Sequence, residues 1–103
     1  MSTIRIRARV QGDVAEVRAL VRHPMETGTR KDKKTGNAIP AHFIKQVKCE
    51  HNGNTVMTAN WSVTISTNPY LAFDIKGAKA GDKVKISWDD NNGKSDSAEA
   101  DIG

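Results

Sequence analysis

The side chains best suited to metal binding or covalent chemistry in this chain are three histidines and one cysteine: His23, His42, His51 and Cys49. His23 and His42 bracket a long connection and could approach one another, so a small metal site with Glu26 is one interpretation. Catalytic zinc sites take three protein ligands and a water, and these spacings match no compact metal motif. The sequence therefore favours ordinary loop histidines over a metal centre.

Cys49 is the only cysteine, which rules out an internal disulfide and an all-cysteine metal site within one chain. A reactive thiol needs an accessible, electropositive setting. Lys48 and His51 are close in sequence, but strand alternation places Cys49 on the same face as Val47. A buried structural cysteine is favoured, and a sulfur-carrying thiol is the alternative. No catalytic triad or glycine-rich phosphate loop occurs, so we predict that the chain is not an enzyme and needs no cofactor or metal.

Basic residues form two groups. One is a stripe on alternate positions of the first predicted strand, formed by Arg5, Arg7 and Arg9. Arg18 and Arg22 are expected near this stripe. The other is the run from Arg30 to Lys34. Phosphate binding would suit both groups, but single-strand binders also need exposed aromatic rings, and the chain has only two Trp, two Phe and one Tyr. A solvated or protein-facing sheet face is favoured, and a stand-alone basic β-sandwich that binds anions or nucleic acid is the alternative.

Composition predicts a soluble globular protein, since 37% of the residues are hydrophobic and 27% are charged. A chain of 103 residues suggests one domain, spanning residues 1–103. The net charge of +4 favours acidic partners. No segment approaches the ~20 apolar residues of a membrane span, so we expect no membrane association. Met1-Ser2-Thr3 leads straight into the first strand, without the pattern of a signal peptide.

Hydrophobic alternation with a period of two dominates the chain and predicts β-strands. In the first segment Ile4, Ile6, Ala8 and Val10 alternate with arginines. Similar segments recur to the end of the chain, separated by turn signals such as Asn52-Gly53 and Asn92-Gly93. About seven strands at this spacing predict an all-β, immunoglobulin-like antiparallel β-sandwich.

One connection breaks this regularity. Residues 24–40 form a stretch of roughly 17 residues with little apolar content, against a median connection of about 4–6. Connections of this length are functional or simply extended, and the sequence leaves both interpretations open.

Three segments carry a resemblance to a known family: His23-Pro24-Met25-Glu26-Thr27-Gly28, Ile39-Pro40-Ala41-His42-Phe43-Ile44, and Trp88-Asp89-Asp90-Asn91 with Gly93. They resemble the SoxZ family, the subunit without the cysteine arm in the SoxYZ sulfur-carrier complex of thiosulfate oxidation. The likeness covers nearly the whole chain. It implies an immunoglobulin-like fold, in agreement with the strand pattern.

The resemblance also implies a function. In this family the partner SoxY carries sulfur intermediates on a cysteine in a glycine-rich C-terminal arm, which visits several Sox enzymes. This chain ends in Glu99-Ala100-Asp101-Ile102-Gly103, with no such arm. The family therefore implies a non-catalytic subunit of a heterodimer with SoxY that contacts other Sox enzymes transiently. It also implies a periplasmic location, with export on the signal of SoxY.

A surface for SoxY or an incoming enzyme is a hypothesis from the turn-rich ends of the long connection: Met25, Glu26, Gly28 and Phe43. The alternative is that these residues shape the turn and close the end of the sandwich. An isolated subunit would also expose its partner-binding patch, which would allow a homodimer.

The basic part of the same connection suggests a second role. These residues would steer the acidic surfaces of partner enzymes and raise association rates in a salt-dependent way: Arg30, Lys31, Lys33 and Lys34.

Overall fold

The computed structural model describes residues 3–103, and all regular structure in this range is β-strand. The strands are β1 (Ile4–Gln11), β2 (Val14–Val21), β3 (Ile44–His51), β4 (Asn54–Asn60), β5 (Tyr70–Lys76), β6 (Lys83–Asp90) and β7 (Ser95–Asp101). Within this range there is no helix that could cross a membrane.

Two antiparallel sheets form the fold. One has three strands in the order β1-β2-β5, and the other has four in the order β4-β3-β6-β7. Apolar side chains at alternate positions point inward from both sheets, as a sandwich core requires. The most deeply buried include Val17, Val21, Ile44, Val47, Val84 and Ile86. The predicted immunoglobulin-like β-sandwich of seven strands is confirmed.

The predicted Asn-Gly turn joins β3 to β4. Asn52 and Gly53 both have positive φ angles, of 50° and 86°. A two-residue hairpin turn of this type needs positive φ at both central residues, which asparagine and glycine tolerate best.

The start of β3 explains an ambiguity in the sequence pattern. Phe43 and Ile44 are adjacent apolar residues, and alternation alone could not tell which of them faces the core. The strand begins at Ile44, and the pairing register with β6 shifts between Ile44 and Gln46. This irregularity lets Ile44 and Val47 both point inward although they are three positions apart.

One side of the sandwich is closed by β1 and β7, which lie against each other. The end of the chain extends this contact, because the backbone N–H of Gly103 donates to Ala8 and its carbonyl accepts from Val10, both at 2.9 Å. The free edge of β1 is therefore partly covered by the last residue.

The long connection between β2 and β3 is an irregular hairpin. Glu26 and His42 form an isolated antiparallel bridge near its base, and Lys31 and Ala38 form another near its tip. This connection leaves the sandwich beside the end of β6, where its two histidines meet.

Candidate functional site

The two histidines at the base of the hairpin converge on one carboxylate. Nε2 of His23 lies 3.1 Å from Oδ2 of Asp90, and Nε2 of His42 lies 2.7 Å from the same oxygen. The side chains of Asp90 and His23 are almost fully buried, and that of His42 is 23% exposed. Asp90 is the last residue of β6, so this cluster joins the hairpin to the four-stranded sheet.

The hydrogen bonds of His23 define its tautomer. The backbone N–H of Met25 donates to Nδ1 of His23 at 3.1 Å, so Nδ1 carries no proton. The proton of the neutral ring is then on Nε2, from which it is donated to Asp90.

This tautomer bears on whether the cluster fits a metal. The three ligand atoms of His23, His42 and Asp90 lie within 4.8 Å of one another, close enough to surround an ion. A metal on Nε2 of His23 would move the proton to Nδ1, where it would face the N–H of Met25. Metal-bound histidines normally donate from the second ring nitrogen, whereas here that nitrogen accepts. The arrangement is that of a hydrogen-bond network, not of a metal centre.

Both oxygens of the Asp90 carboxylate accept hydrogen bonds. Burial by itself raises the pKa of Asp90, but the hydrogen bonds that the carboxylate accepts outweigh burial and lower the pKa to about 2. Besides the two histidines, the donors are the backbone N–H groups of Asn92 and Lys94, which reach Oδ1 at 3.0 and 2.9 Å. A buried charge with four donors is a structural anchor.

Aromatic contacts hold the histidine rings in place. The ring of His23 packs edge-on against His42 and against Trp88, with centroid separations of 4.5 and 5.1 Å. Trp88 is itself buried, and its Nε1 donates to the hydroxyl of Thr3 at 3.1 Å. The cluster is thus packed as core, and His42 is the most exposed of His23, His42, Asp90 and Trp88.

Met25 and Phe43, two of the predicted partner-contact residues, contribute to this packing. Met25 is 4% exposed, has a φ of +49°, and its sulfur accepts from the backbone N–H of Ile44 at 3.4 Å. Phe43 is partly buried against the core. Both positions agree with the alternative that these side chains close the end of the sandwich, and the interface itself stays a prediction.

The other two predicted contact residues are nearer the surface. Glu26 forms an ion pair with Arg30, which lowers the pKa of Glu26 through a side-chain hydrogen bond. Gly28 has a φ of +88°, and a Cβ there would lie 3.3 Å from the Cβ of Ala41. The positive φ and the close approach of the two hairpin arms both favour glycine at this position.

The predicted steering residues lie along the outer half of the hairpin, and all are exposed: Arg30, Lys31, Lys33 and Lys34. Arg30 is engaged with Glu26. The steering role itself stays a prediction.

Cys49 is fully buried in β3, as the sequence predicted. Burial, with a smaller contribution from Glu50, raises the pKa of its thiol to about 11. A thiol in this setting is protonated at neutral pH and shielded from solvent, so it is poorly suited to carrying sulfur.

The third histidine belongs to a separate contact. Nε2 of His51 lies 2.8 Å from Oδ2 of Asp82. The backbone N–H of Lys79 and the His51 side chain are the main hydrogen-bond donors that lower the pKa of Asp82 to about 2. This pair ties the end of β3 to the turn before β6.

The sequence indicated that His23 and His42 could approach one another, and the metal site considered and disfavoured there used Glu26 as its carboxylate. Glu26 is close in sequence, yet it turns outward to Arg30, and Asp90 takes its place. Two features of the sequence could have indicated Asp90. It lies at the end of an alternating segment, after Trp88, and it precedes the Asn92-Gly93 turn, whose backbone N–H groups can donate hydrogen bonds to a carboxylate.

Fold and site together define an immunoglobulin-like β-sandwich whose most prominent polar cluster anchors a long hairpin. Residues 4–101 match the family model described as sulphur oxidation protein SoxZ. The chain therefore belongs to the SoxZ family, which places it in the Sox sulfur-oxidation system. Comparison with curated proteins gives no match.

Proposed function

We propose that this chain is the non-catalytic subunit of a SoxYZ heterodimer. It scaffolds SoxY, so that sulfur intermediates bound to the cysteine arm of SoxY are presented to the enzymes of thiosulfate oxidation. We further propose that the pair works in the periplasm and that this subunit is exported together with SoxY.

The observation that carries this proposal is the family match over residues 4–101, combined with the burial of the only cysteine. A sulfur carrier needs an accessible thiolate. Cys49 is neither accessible nor ionised at neutral pH, since its pKa is raised to about 11. The carrier thiol must therefore come from another chain, which is the role of SoxY in this proposal.

Co-purification tests the subunit role directly. This chain and SoxY from the same genome are co-expressed, and the product is analysed by size-exclusion chromatography and intact mass. We expect a one-to-one complex in which thiosulfate-derived mass additions occur only on SoxY. Separate elution of the two chains, or a sulfur adduct on Cys49, would refute the proposal.

The proposed contact surface is the base of the hairpin, with Glu26, Gly28 and Phe43 at its outer side and Met25 beneath. Met25 belongs to the core, so its truncation would test folding more than binding. The sharper variant is Phe43→Ala, and Phe73→Ala is its control because Phe73 is likewise partly buried against the core. We expect SoxY affinity to fall in the first variant only, and equal affinities would move the interface elsewhere.

A further inference from the structure

The outer face of the three-stranded sheet carries a concentration of positive charge. We call it the arginine face and define it by the outward positions of β1, β2 and β5. Its charged members are five cations and two acids, a net charge of +3: Arg5, Arg7, Arg9, Arg18 and Lys76 with Glu16 and Asp74.

The pairing register puts like charges opposite each other on this face. Arg7 of β1 is directly across from Arg18 of β2, and two cations in this position destabilise a sheet. In the four-stranded sheet, by contrast, Lys85 lies between Glu50 and Glu99 on its two neighbouring strands. The arginine face thus combines one repulsive pair of cations with one complementary pair, Arg9 opposite Glu16, whereas Lys85 in the other sheet has an acid on both sides.

Little on the arginine face neutralises this charge. Glu16 pairs with Arg18 at 2.7 Å. Within residues 3–103, no carboxylate lies within 4.0 Å of a charged nitrogen of Arg5, Arg7 or Arg9. The three guanidinium groups of β1 are therefore free to bind carboxylates of another molecule, and arginine does so with two parallel hydrogen bonds.

The same face offers apolar anchors and a concave edge. Leu20 is 40% exposed and Tyr70 is 58% exposed, and the two are directly opposite each other, with Leu20 in turn opposite Arg5. A groove of about 670 Å³ borders Arg7 and Arg9, and Glu16, Asp101 and Gly103 also line it. Tyrosine and arginine together are typical of the central residues of protein interfaces.

We propose that the arginine face is a docking surface for an acidic protein surface, that of a Sox enzyme which receives the carrier. This rests on the proposed function, and it assigns the enzyme contact to a different surface from the hairpin base. Nucleic acid is the weaker occupant, because Tyr70 is the one aromatic residue at the outward positions of these strands, and single-strand binding uses several.

The test compares two variants that each remove two positive charges. Arg7→Gln with Arg9→Gln alters the arginine face, and Lys48→Gln with Lys85→Gln is the control on the outer side of the other sheet, where both lysines are exposed. Each purified Sox enzyme from the same genome is titrated against the chain alone and against its complex with SoxY. Association rates are measured at low and at high ionic strength, and a random DNA duplex is titrated in parallel.

We expect the arginine-face variant to associate about tenfold more slowly with at least one Sox enzyme at low ionic strength. The difference should shrink at high salt. The association rates of the control variant with the Sox enzymes should change less than about twofold. The affinity of the arginine-face variant for SoxY should also change less than about twofold.

Four results would overturn the inference. The first is unchanged association of both variants with every Sox enzyme, and the second is equal loss in both. The third is salt-dependent binding of the DNA duplex through Arg7 and Arg9 without an effect on any enzyme. The fourth is loss of SoxY binding in the arginine-face variant, which would assign this face to SoxY. Failure of the wild-type chain to bind SoxY would instead refute the proposed function. This outcome is distinguishable, because SoxY binding is measured separately from the titrations with the Sox enzymes.

Discussion

His42 and Asp90 are separated by 48 positions in the chain, and 2.7 Å separates Nε2 of the first from Oδ2 of the second. This contact, with the parallel one from His23, fastens the base of the β2–β3 hairpin to the end of β6. The backbone N–H of Phe43 donates to the side chain of Asn91 at 2.8 Å beside it. The hairpin is therefore held at its base by side chains from a distant strand, and its position depends on them.

The first prediction concerns Asp90→Asn. The amide can accept at only one atom, so its NH₂ group would face either the histidine protons or the N–H groups of Asn92 and Lys94. We expect a loss of about 2–3 kcal/mol in the free energy of unfolding, measured by urea denaturation. Asp89→Asn is the control, because Asp89 is half-exposed and its contact with Lys45 is 3.9 Å long. Its effect should stay below about 0.5 kcal/mol, and equal losses would contradict the anchoring role.

The second prediction is the pH dependence of the same carboxylate. The pKa of Asp90 is lowered from 3.8 to about 2 in the folded protein, so the folded state binds fewer protons than the unfolded state. Its contribution to stability is then fully present above about pH 5 and is lost as the pH falls toward 2. Urea midpoints of wild type and Asp90→Asn should converge over this range. A constant difference from pH 6 to the acid limit would show that the carboxylate does not titrate as inferred.

The third prediction concerns the thiol. With a pKa raised to about 11 by burial, Cys49 should react with iodoacetamide at pH 8 at least about 100-fold more slowly in the native protein than in urea. Intact mass reports the extent of alkylation. An added Ser97→Cys, at an exposed position of β7, provides an accessible thiol in the same molecule. Comparable rates at both sites would remove the argument that the carrier thiol lies on another chain.

The fourth prediction compares two glycines of the hairpin. Gly28 and Gly36 have φ angles of +88° and +72°, but only at Gly28 would an added Cβ meet a neighbour within 4 Å. Alanine at either position meets the strain of a left-handed backbone. Gly28→Ala should cost about 1 kcal/mol more, because the Cβ of Ala41 must move. Urea unfolding measures both variants, and a larger loss for Gly36→Ala would contradict the close approach of the hairpin arms.

The strand positions and the burial of Cys49 could be predicted from sequence because alternation is a local property. A residue and its second neighbour share a sheet face whatever the rest of the chain does. The same logic found the arginine stripe of β1. It did not resolve the start of β3, since the register shift after Ile44 depends on pairing with β6.

The sequence by itself determined the fold class, the turns and the family resemblance, all of which depend on residue types and short spacings. Only the tertiary structure decided which carboxylate meets the two histidines, that Met25 belongs to the core, and that Arg7 lies across from Arg18. Such contacts join residues far apart in the chain, and many arrangements of the same strands would satisfy the local pattern equally well. In the observed arrangement the two sheets bury their apolar faces and the carboxylate of Asp90 accepts hydrogen bonds from four donors.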